Sequence, residues 1–219
     1  SCRVTPIESA NLSGLAMMPE EQRNPFAVDS TGLGLAMQSD AAQDSSHCFI
    51  GIGGSATNDG GFGMAAALGW SFLDNSQQPI SSWPDLAQLK SIQPPETQLS
   101  FPVTTAVDVQ NPLLGPNGCT RVYGPQKGLR EKDIPKAEAA LTRLAEIWEA
   151  QTGEDAASLP GAGAAGGSGG GSSFQSTAGG SGTANHGYAG GTSGGSTYGQ
   201  GCGGAGGVGQ CNASAGTGG

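Results

Sequence analysis

A chain of 219 residues, 36% hydrophobic and 12% charged, can build one large domain or two small ones. Its formal net charge of -9, from 9 Lys and Arg against 18 Asp and Glu, excludes a nucleic-acid partner, because phosphate backbones are held by clustered cations. No run reaches the length of a membrane span and no charged-then-apolar leader opens the chain, so the expectation is a cytoplasmic protein with no membrane partner.

The composition is uneven. Of the 40 glycines, 25 lie in 161–219, a stretch that holds none of the Lys, Arg, Asp or Glu residues and no Leu, Ile or Met. Two materials therefore meet near Pro160: a residue 1–160 domain and a 161–219 tail. The tail has too little apolar bulk to offset an ordering entropy of about 1–2 kcal/mol per residue, so disorder is expected there. The five cysteines (Cys2, Cys48, Cys119, Cys202, Cys211) are odd in number and lack CxxC spacing, which argues against a disulfide framework or a zinc site.

In chain order, the opening SCRVTPIES reads as the interior of a longer coding sequence, and Asn11 to Arg23 as a loop turning at Pro19. Leu33, Ala36, Met37 and Ala41 recur at helical spacing, which predicts a helix opened by Ser30 or Thr31, with Gly32 and Gly34 against it. His47 to Ile52 reads as a buried strand, followed by a glycine-rich loop and a helix from Gly63 to Leu68. Trp70 to Leu73 reads as a strand ended by the Asp74-Asn75 turn. From Gln77 to Ser100 prolines and polar residues predict an exposed connection with a short helix at Leu86 to Leu89. Phe101 to Val109 and Thr120 to Tyr123 read as strands ending in the polar clusters DVQNPLLGPNG and GPQKG. Three β-rich runs thus end in polar turns, and in an open α/β sheet such carboxyl ends share one ligand cleft. Asp133 to Gln151 carries Ile134, Ala137, Leu141, Leu144, Ala145 and Trp148 on one face, with Asp133 as N-cap and Gly153 as stop: a scaffold helix.

The most informative stretch is Phe49 to Gly63, FIGIGGSATNDGGFG. An apolar run breaking into glycines places bare backbone N–H groups at a strand end, where an anionic phosphate is bound. Ser55, Thr57, Asn58 and Asp59 add side chains for a metal, a hydroxyl or a leaving oxygen. The competing reading is a dinucleotide fingerprint, since Gly51-Ile52-Gly53-Gly54-Ser55-Ala56 satisfies GxGxxA and Asp74 ends a strand about twenty residues later. Against it, Asn58-Asp59-Gly60-Gly61 would interrupt the required helix, at roughly 2 kcal/mol for two adjacent glycines. Lys127 lacks a Walker frame. Residue by residue, Asp59 also reads as a turn former, Asp108 as a strand-end turn former and Lys127 as a surface lysine. His47 and His186 are isolated, so no Ser/His/Asp triad is indicated.

The string GIGGSATNDGGFGMAAALG resembles the signature of the glycerate kinase family, and DVQNPLLGPNG, VYGPQKG and PGAGAAGG resemble that family's next three blocks in the same order. Upstream, ANLSGLAMMPEEQRNP and DSTGLG resemble the segment before the signature. The resemblance implies ATP-dependent phosphorylation of D-glycerate to phosphoglycerate, 2-phospho before 3-phospho, with ATP and Mg²⁺ as cofactors. It implies a mixed α/β fold, a sheet with flanking helices, as the inserted second domain of a two-domain kinase. Family members also carry an Asp-Ser-x-Lys type, a PxADGGEG type and a GEGxxDxQ type motif, none of which stands here, so an internal and inactive fragment is expected. The switch to SGGGSSFQSTAGG reads as out-of-frame translation, with a natural low-complexity linker as the alternative. Phosphoryl transfer needs positioning and charge neutralisation. On the resemblance, Gly53, Gly54, Ser55, Thr57 and Asn58 cradle phosphate or the glycerate carboxylate. Asp59 holds Mg²⁺ or accepts the hydroxyl proton, Asp108 and Asn111 bind metal or substrate, Gln126 contacts substrate, and Lys127 neutralises the transferring phosphate. An NAD(P)-binding oxidoreductase fragment and a non-catalytic structural fragment are the other function classes, and oligomeric state stays open.

Overall fold

The computed structural model describes residues 3–97 and 99–167, together with a short antiparallel pair of two-residue strands at Gly203–Gly204 and Gly207–Val208. The expected tail disorder, its reading as out-of-frame product, His186, Cys2, Cys202 and Cys211 lie outside the described residues.

The fold is α/β. Strand β1 (Val4–Glu8), β2 (His47–Gly51), β3 (Ser71–Leu73), β4 (Ser91–Gln93) and β5 (Val103–Ala106) form two sheets. One is three-stranded and parallel in the order β1-β2-β5, with Ile7 opposite Ile50 and Ile50 opposite Thr105; the other is the antiparallel pair β3-β4, with Phe72 opposite Ile92. Strand β1 falls in the opening stretch that carries no strand expectation. Its five residues include Pro6, whose missing N–H is tolerated because β1 is an edge strand of that sheet.

Helices α1 (Ala10–Ser13), α2 (Thr31–Met37), α3 (Asp40–Gln43), α4 (Phe62–Ala67), α5 (Cys119–Tyr123), α6 (Ile134–Thr152) and α7 (Ala162–Gly167) flank the sheets. Helix α2 begins after Ser30, as its periodicity requires, and Gly34 has a packing reason. A Cβ there would lie 2.6 Å from the Met64 carbonyl oxygen of α4, so only glycine lets the two helices approach this closely. Helix α6 follows Asp133 and stops at Gly153, but Asp133 makes no capping bond. Its carboxylate instead takes the Arg130 Nε–H at 2.6 Å.

Two apolar clusters hold the body together. The first joins Ile7, Leu33, Met37, Cys48, Ile50 and Met64 around the parallel sheet. The second packs Trp83, Leu86, Leu89, Ile92 and Phe72 against Leu141, Leu144 and Trp148 of α6.

That second cluster corrects the expectation of an exposed Gln77 to Ser100 connection. Residues Trp83–Gln88 form a 3-10 helix whose Trp83, Leu86 and the following Leu89 are buried at a spacing of three, and the Trp83 indole N–H donates to the Pro25 carbonyl at 2.8 Å. Three-residue turns repeat every third position, so a sparse i, i+3 apolar pattern suffices to bury one face. The expected strand at Thr120 to Tyr123 is helix α5. Val122 and Gly124 donate to the carbonyls of Gly118 and Thr120, and Cys119-Thr120 are buried while Arg121-Val122 are exposed, a pattern that does not alternate. Tertiary packing here overrides the β preference of Thr, Val and Tyr. The packed body also continues past Pro160. In α7 the Gly163 N–H donates to the Asn111 carbonyl at 2.8 Å, and a Cβ on Gly163 would meet the Pro112 carbonyl oxygen at 2.2 Å.

Candidate active site

The glycine loop that follows β2 is fixed along its length. It zips against 13–15 through Leu15 N–H to Gly54 O at 2.8 Å and Ala56 N–H to Ser13 O at 2.7 Å. Gly53 and Gly54 stay exposed, nothing lies within 4 Å of where a Gly53 Cβ would be, and among the described residues their N–H groups donate to no acceptor. Unpaired N–H donors at the carboxyl end of a parallel strand suit an anionic ligand.

Lys127 reaches this loop from the 3-10 turn Pro125–Lys127. Only 4% exposed, it donates from Nζ to the Thr57 carbonyl at 2.5 Å and, more weakly, to Ser55 Oγ at 3.5 Å. The turn ends at Gly128, whose φ of +91° belongs to the left-handed region; a Cβ there would also strike the Arg23 carbonyl oxygen at 2.3 Å. Burial pushes the Lys127 ammonium down to about 8, and the nearby Asp59 carboxylate opposes that shift. The surface-lysine reading is therefore overturned: loop and lysine, 70 positions apart, form one unit.

Asp59 is fully buried and its carboxylate is occupied by the protein. Oδ2 accepts from Ser30 N–H at 2.9 Å, Ser30 Oγ at 2.7 Å and Gly63 N–H at 2.9 Å, and Oδ1 from Gly61 N–H at 3.3 Å. Ser30 Oγ in turn accepts from Met64 N–H at 2.8 Å. The carboxylate thus ties the start of α2 to the start of α4. Burial raises its pKa, opposed by the hydrogen bonds from Gly63 and Ser30. Asp108 is exposed, and among the described residues no group of three His, Cys, Asp or Glu converges. Asp59 and Asp108 do not fit a magnesium ion, which needs several oxygens open to it.

Asn58, also fully buried, donates from Nδ2 to Thr120 Oγ1 at 3.2 Å, while its Oδ1 has no partner. Asn111 accepts from the Tyr123 hydroxyl at 2.7 Å and donates to the Asn117 carbonyl at 2.9 Å. Helix α5 is thus the bridge: Thr120 holds the glycine loop and Tyr123 the Asn111 turn. Gln126 is exposed, and its carbonyl takes a long 3.4 Å bond from Arg23. The structure brings together Ser55, Thr57, Asn58 and Lys127, leaves Gly53 and Gly54 open beside them, and sets Asp59 behind the loop. Arg23, in the PEEQRNP stretch between α1 and α2, escapes sequence reading because only the fold carries it to Gln126.

The dinucleotide reading fails on placement. Helix α4 starts at Phe62, well after Gly54, so the helix that follows the loop does not open at these glycines as the fingerprint requires. Asp74 follows a strand of the other sheet and spends Oδ1 on Ser76 and Gln78 N–H groups at 2.7 and 2.9 Å.

The buried groups give the protein a pH signature. Between pH 8 and 10.5 an unfolded lysine keeps its proton while folded Lys127 has released it, so the unfolded state holds more protons and stability rises with pH. Cys48 and Cys119 act in the opposite sense. Burial pushes both thiols up to about 11, so above their ordinary value of 9.0 the unfolded state has lost protons that the fold retains. Lys127 contributes a rise of about 1 kcal/mol from pH 8 to 9 and the two thiols offset most of it, so stability is nearly flat over that interval and falls above it. Urea unfolding of the wild type across pH 7.5–10.5 checks it. Lys127→Met measured alongside should fall from pH 8 to 9 by about 1 kcal/mol more than wild type, and parallel curves would refute the burial of the Lys127 ammonium.

Among the described residues, no helix is long and apolar enough to cross a membrane. The family model described as the glycerate kinase family matches residues 2–185. Glycerate kinase of Halalkalibacterium halodurans is 40% identical over 175 residues, covering 77% of this chain and 46% of the relative. Glycerate 2-kinase of Escherichia coli K12 is 39% identical over 168 residues, covering 74% and 44%. A crystal structure of a Salmonella typhimurium LT2 protein assigned as glycerate kinase 2 superposes with a TM-score of 0.70 at 41% identity, covering 76% of this chain and 46% of that one. The chain spans about half the length of the relatives it matches.

Proposed function

The chain belongs to the glycerate kinase family, and from that premise we propose that it carries one wall of a site transferring the terminal phosphoryl group of ATP to the 2-hydroxyl of D-glycerate, giving 2-phosphoglycerate. The observation that carries this reading is Lys127, a buried ammonium aimed at the Ser55–Thr57 loop beside the open Gly53 and Gly54 N–H groups. A cation and unpaired amides around one space neutralise the charge that phosphoryl transfer moves, with little covalent chemistry left for the protein. Those amides suit the ATP phosphates. Bound ATP supplies the phosphoryl group; the glycerate oxygen bonds to phosphorus as the bridging oxygen departs with ADP, and the hydroxyl proton is released to solvent.

Lys127 holds the transferring phosphate, Gly53, Gly54 and Ser55 cradle it, and Thr57 supplies the carbonyl that aims Lys127. Asn58 fixes the loop to α5, while Asn111, Gln126 and exposed Asp108 contact substrate from the rim. Asp59 acts from behind the loop as a positioning residue. Choice of the 2-hydroxyl is supported by the Escherichia coli relative, a glycerate 2-kinase. We assign residues 1–160 and α7 to the central domain of such a kinase, with the glycine-rich remainder as a tail.

The test is ADP formation with Mg·ATP and D-glycerate, by this chain alone and by a version extended to the length of its relatives. Glycerate-dependent ADP from the extended protein and none from the 219-residue chain is the expected result. An extended protein that ignores D-glycerate would refute the kinase. Turnover by the short chain within about tenfold of the extended one would show that its residues already complete the site.

A further inference from the structure

Arg23 lies beside the turn that carries Lys127, with most of its hydrogen-bonding capacity unspent among the described residues. Its guanidinium carries five N–H donors. Nη1 reaches the Gln126 carbonyl at 3.4 Å and Nη2 the Leu15 carbonyl at 3.5 Å, both at the outer limit of a hydrogen bond, and Nε is buried with no partner. The ion pairs among the described residues use Arg3, Arg130 and Arg143, so Arg23 has no carboxylate partner there. The guanidinium is part-buried, and its buried Nε–H is a donor that an added acceptor would complete.

Its two weak contacts place it. Leu15 is hydrogen-bonded to Gly54, and Gln126 precedes Lys127, so Arg23 joins the segment paired with the glycine loop to the turn that carries Lys127. The two cations differ in kind. Lysine is a point charge suited to a moving phosphoryl group, whereas the planar guanidinium fork matches a planar carboxylate in two parallel bonds. The Arg23 backbone is also held against Gly128, the residue after Lys127, so both cations are set by one turn.

We propose that Arg23 binds the carboxylate of the acceptor acid, and so selects a hydroxy acid over a neutral polyol. This rests on the kinase reading above and adds to it the residue that recognises the acceptor. Titration calorimetry of the 219-residue chain with D-glycerate, its neutral amide glyceramide, and ATP separates the two. Arg23→Gln is expected to weaken D-glycerate binding at least about thirtyfold, as loss of a charge-assisted pair does, and to leave ATP within about twofold. Arg23→Lys, which keeps the charge but not the fork, should weaken D-glycerate about fivefold or more, and it decides the matter if Arg23→Gln does not fold. Glyceramide should bind the wild type poorly and be indifferent to either change. Unchanged D-glycerate affinity in a folded variant, or an equal loss for ATP, overturns the proposal. The same titrations on the version extended to the length of its relatives decide between the two readings: binding of ATP and D-glycerate there with no effect of Arg23→Gln or Arg23→Lys overturns the proposal while the kinase reading stands, and an extended protein that binds neither removes both.

Discussion

Lys127→Met, placed in a version extended to the length of its relatives, is expected to lower glycerate-dependent turnover at least about a thousandfold, the scale for losing a preorganised group that meets charge developing in the transition state. Methionine keeps the length and apolar stem of lysine and removes only the ammonium. Because that ammonium is desolvated enough to bring it down to about 8, replacing it with an apolar group should hold or raise stability at pH 7. Its contribution between pH 8 and 9 should vanish with it, leaving the fall set by the Cys48 and Cys119 thiols. Turnover and urea unfolding measured on the same variant therefore move in opposite directions, which general damage to the fold would not produce. A folded Lys127→Met protein with turnover within about tenfold of wild type would return Lys127 to a structural role.

Asp59→Ala should cost about 4 kcal/mol of stability, and Asp59→Asn about half as much. Alanine leaves Ser30 N–H, Ser30 Oγ, Gly61 N–H and Gly63 N–H without their acceptor in a fully buried site, and each orphaned donor costs roughly 1–3 kcal/mol before local relaxation. Asparagine retains one oxygen for the three donors at Oδ2 but loses the charge that strengthens them and turns an N–H₂ toward Gly61. Chemical unfolding checks both. Asp59→Asn that keeps wild-type stability yet loses turnover about a hundredfold would restore the sequence-based expectation that this carboxylate serves as base or metal ligand.

The two outcomes bear on how the glycine loop works. Lys127 meets the loop at Ser55 and Thr57, and Asp59 meets the starts of α2 and α4. One loop of small residues thus adjoins a buried cation at one point and a carboxylate spent on holding two helices together at another. Sequence gives both residues the same standing, since each is a lone charge in a glycine context.

Much of the local structure was legible from residue pattern. The helices α2, α4 and α6 and the strands β2, β3 and β5 follow from periodicity and from glycine or turn residues at their ends, because those signals act within one or two turns of chain. The glycine loop after β2 was equally readable, as a run of small residues breaking an apolar strand. The family followed from four uncommon blocks in order.

What only the tertiary structure decided is which distant groups meet. Ser30 lies 29 positions from Asp59, Asn58 lies 62 from Thr120, and Lys127 lies 70 from Thr57. No local pattern encodes those pairs, so the carboxylate that reads as chemistry became a clasp, and the lysine that reads as surface became the buried cation. The same cause hid Trp83, whose polar, proline-rich neighbours signal solvent until α6 covers it, and it turned Thr120 to Tyr123 from strand to helix. Burial and partner choice are properties of the assembled core. They shift a group's charge and role by energies as large as any local propensity, and they exist only once the chain has folded.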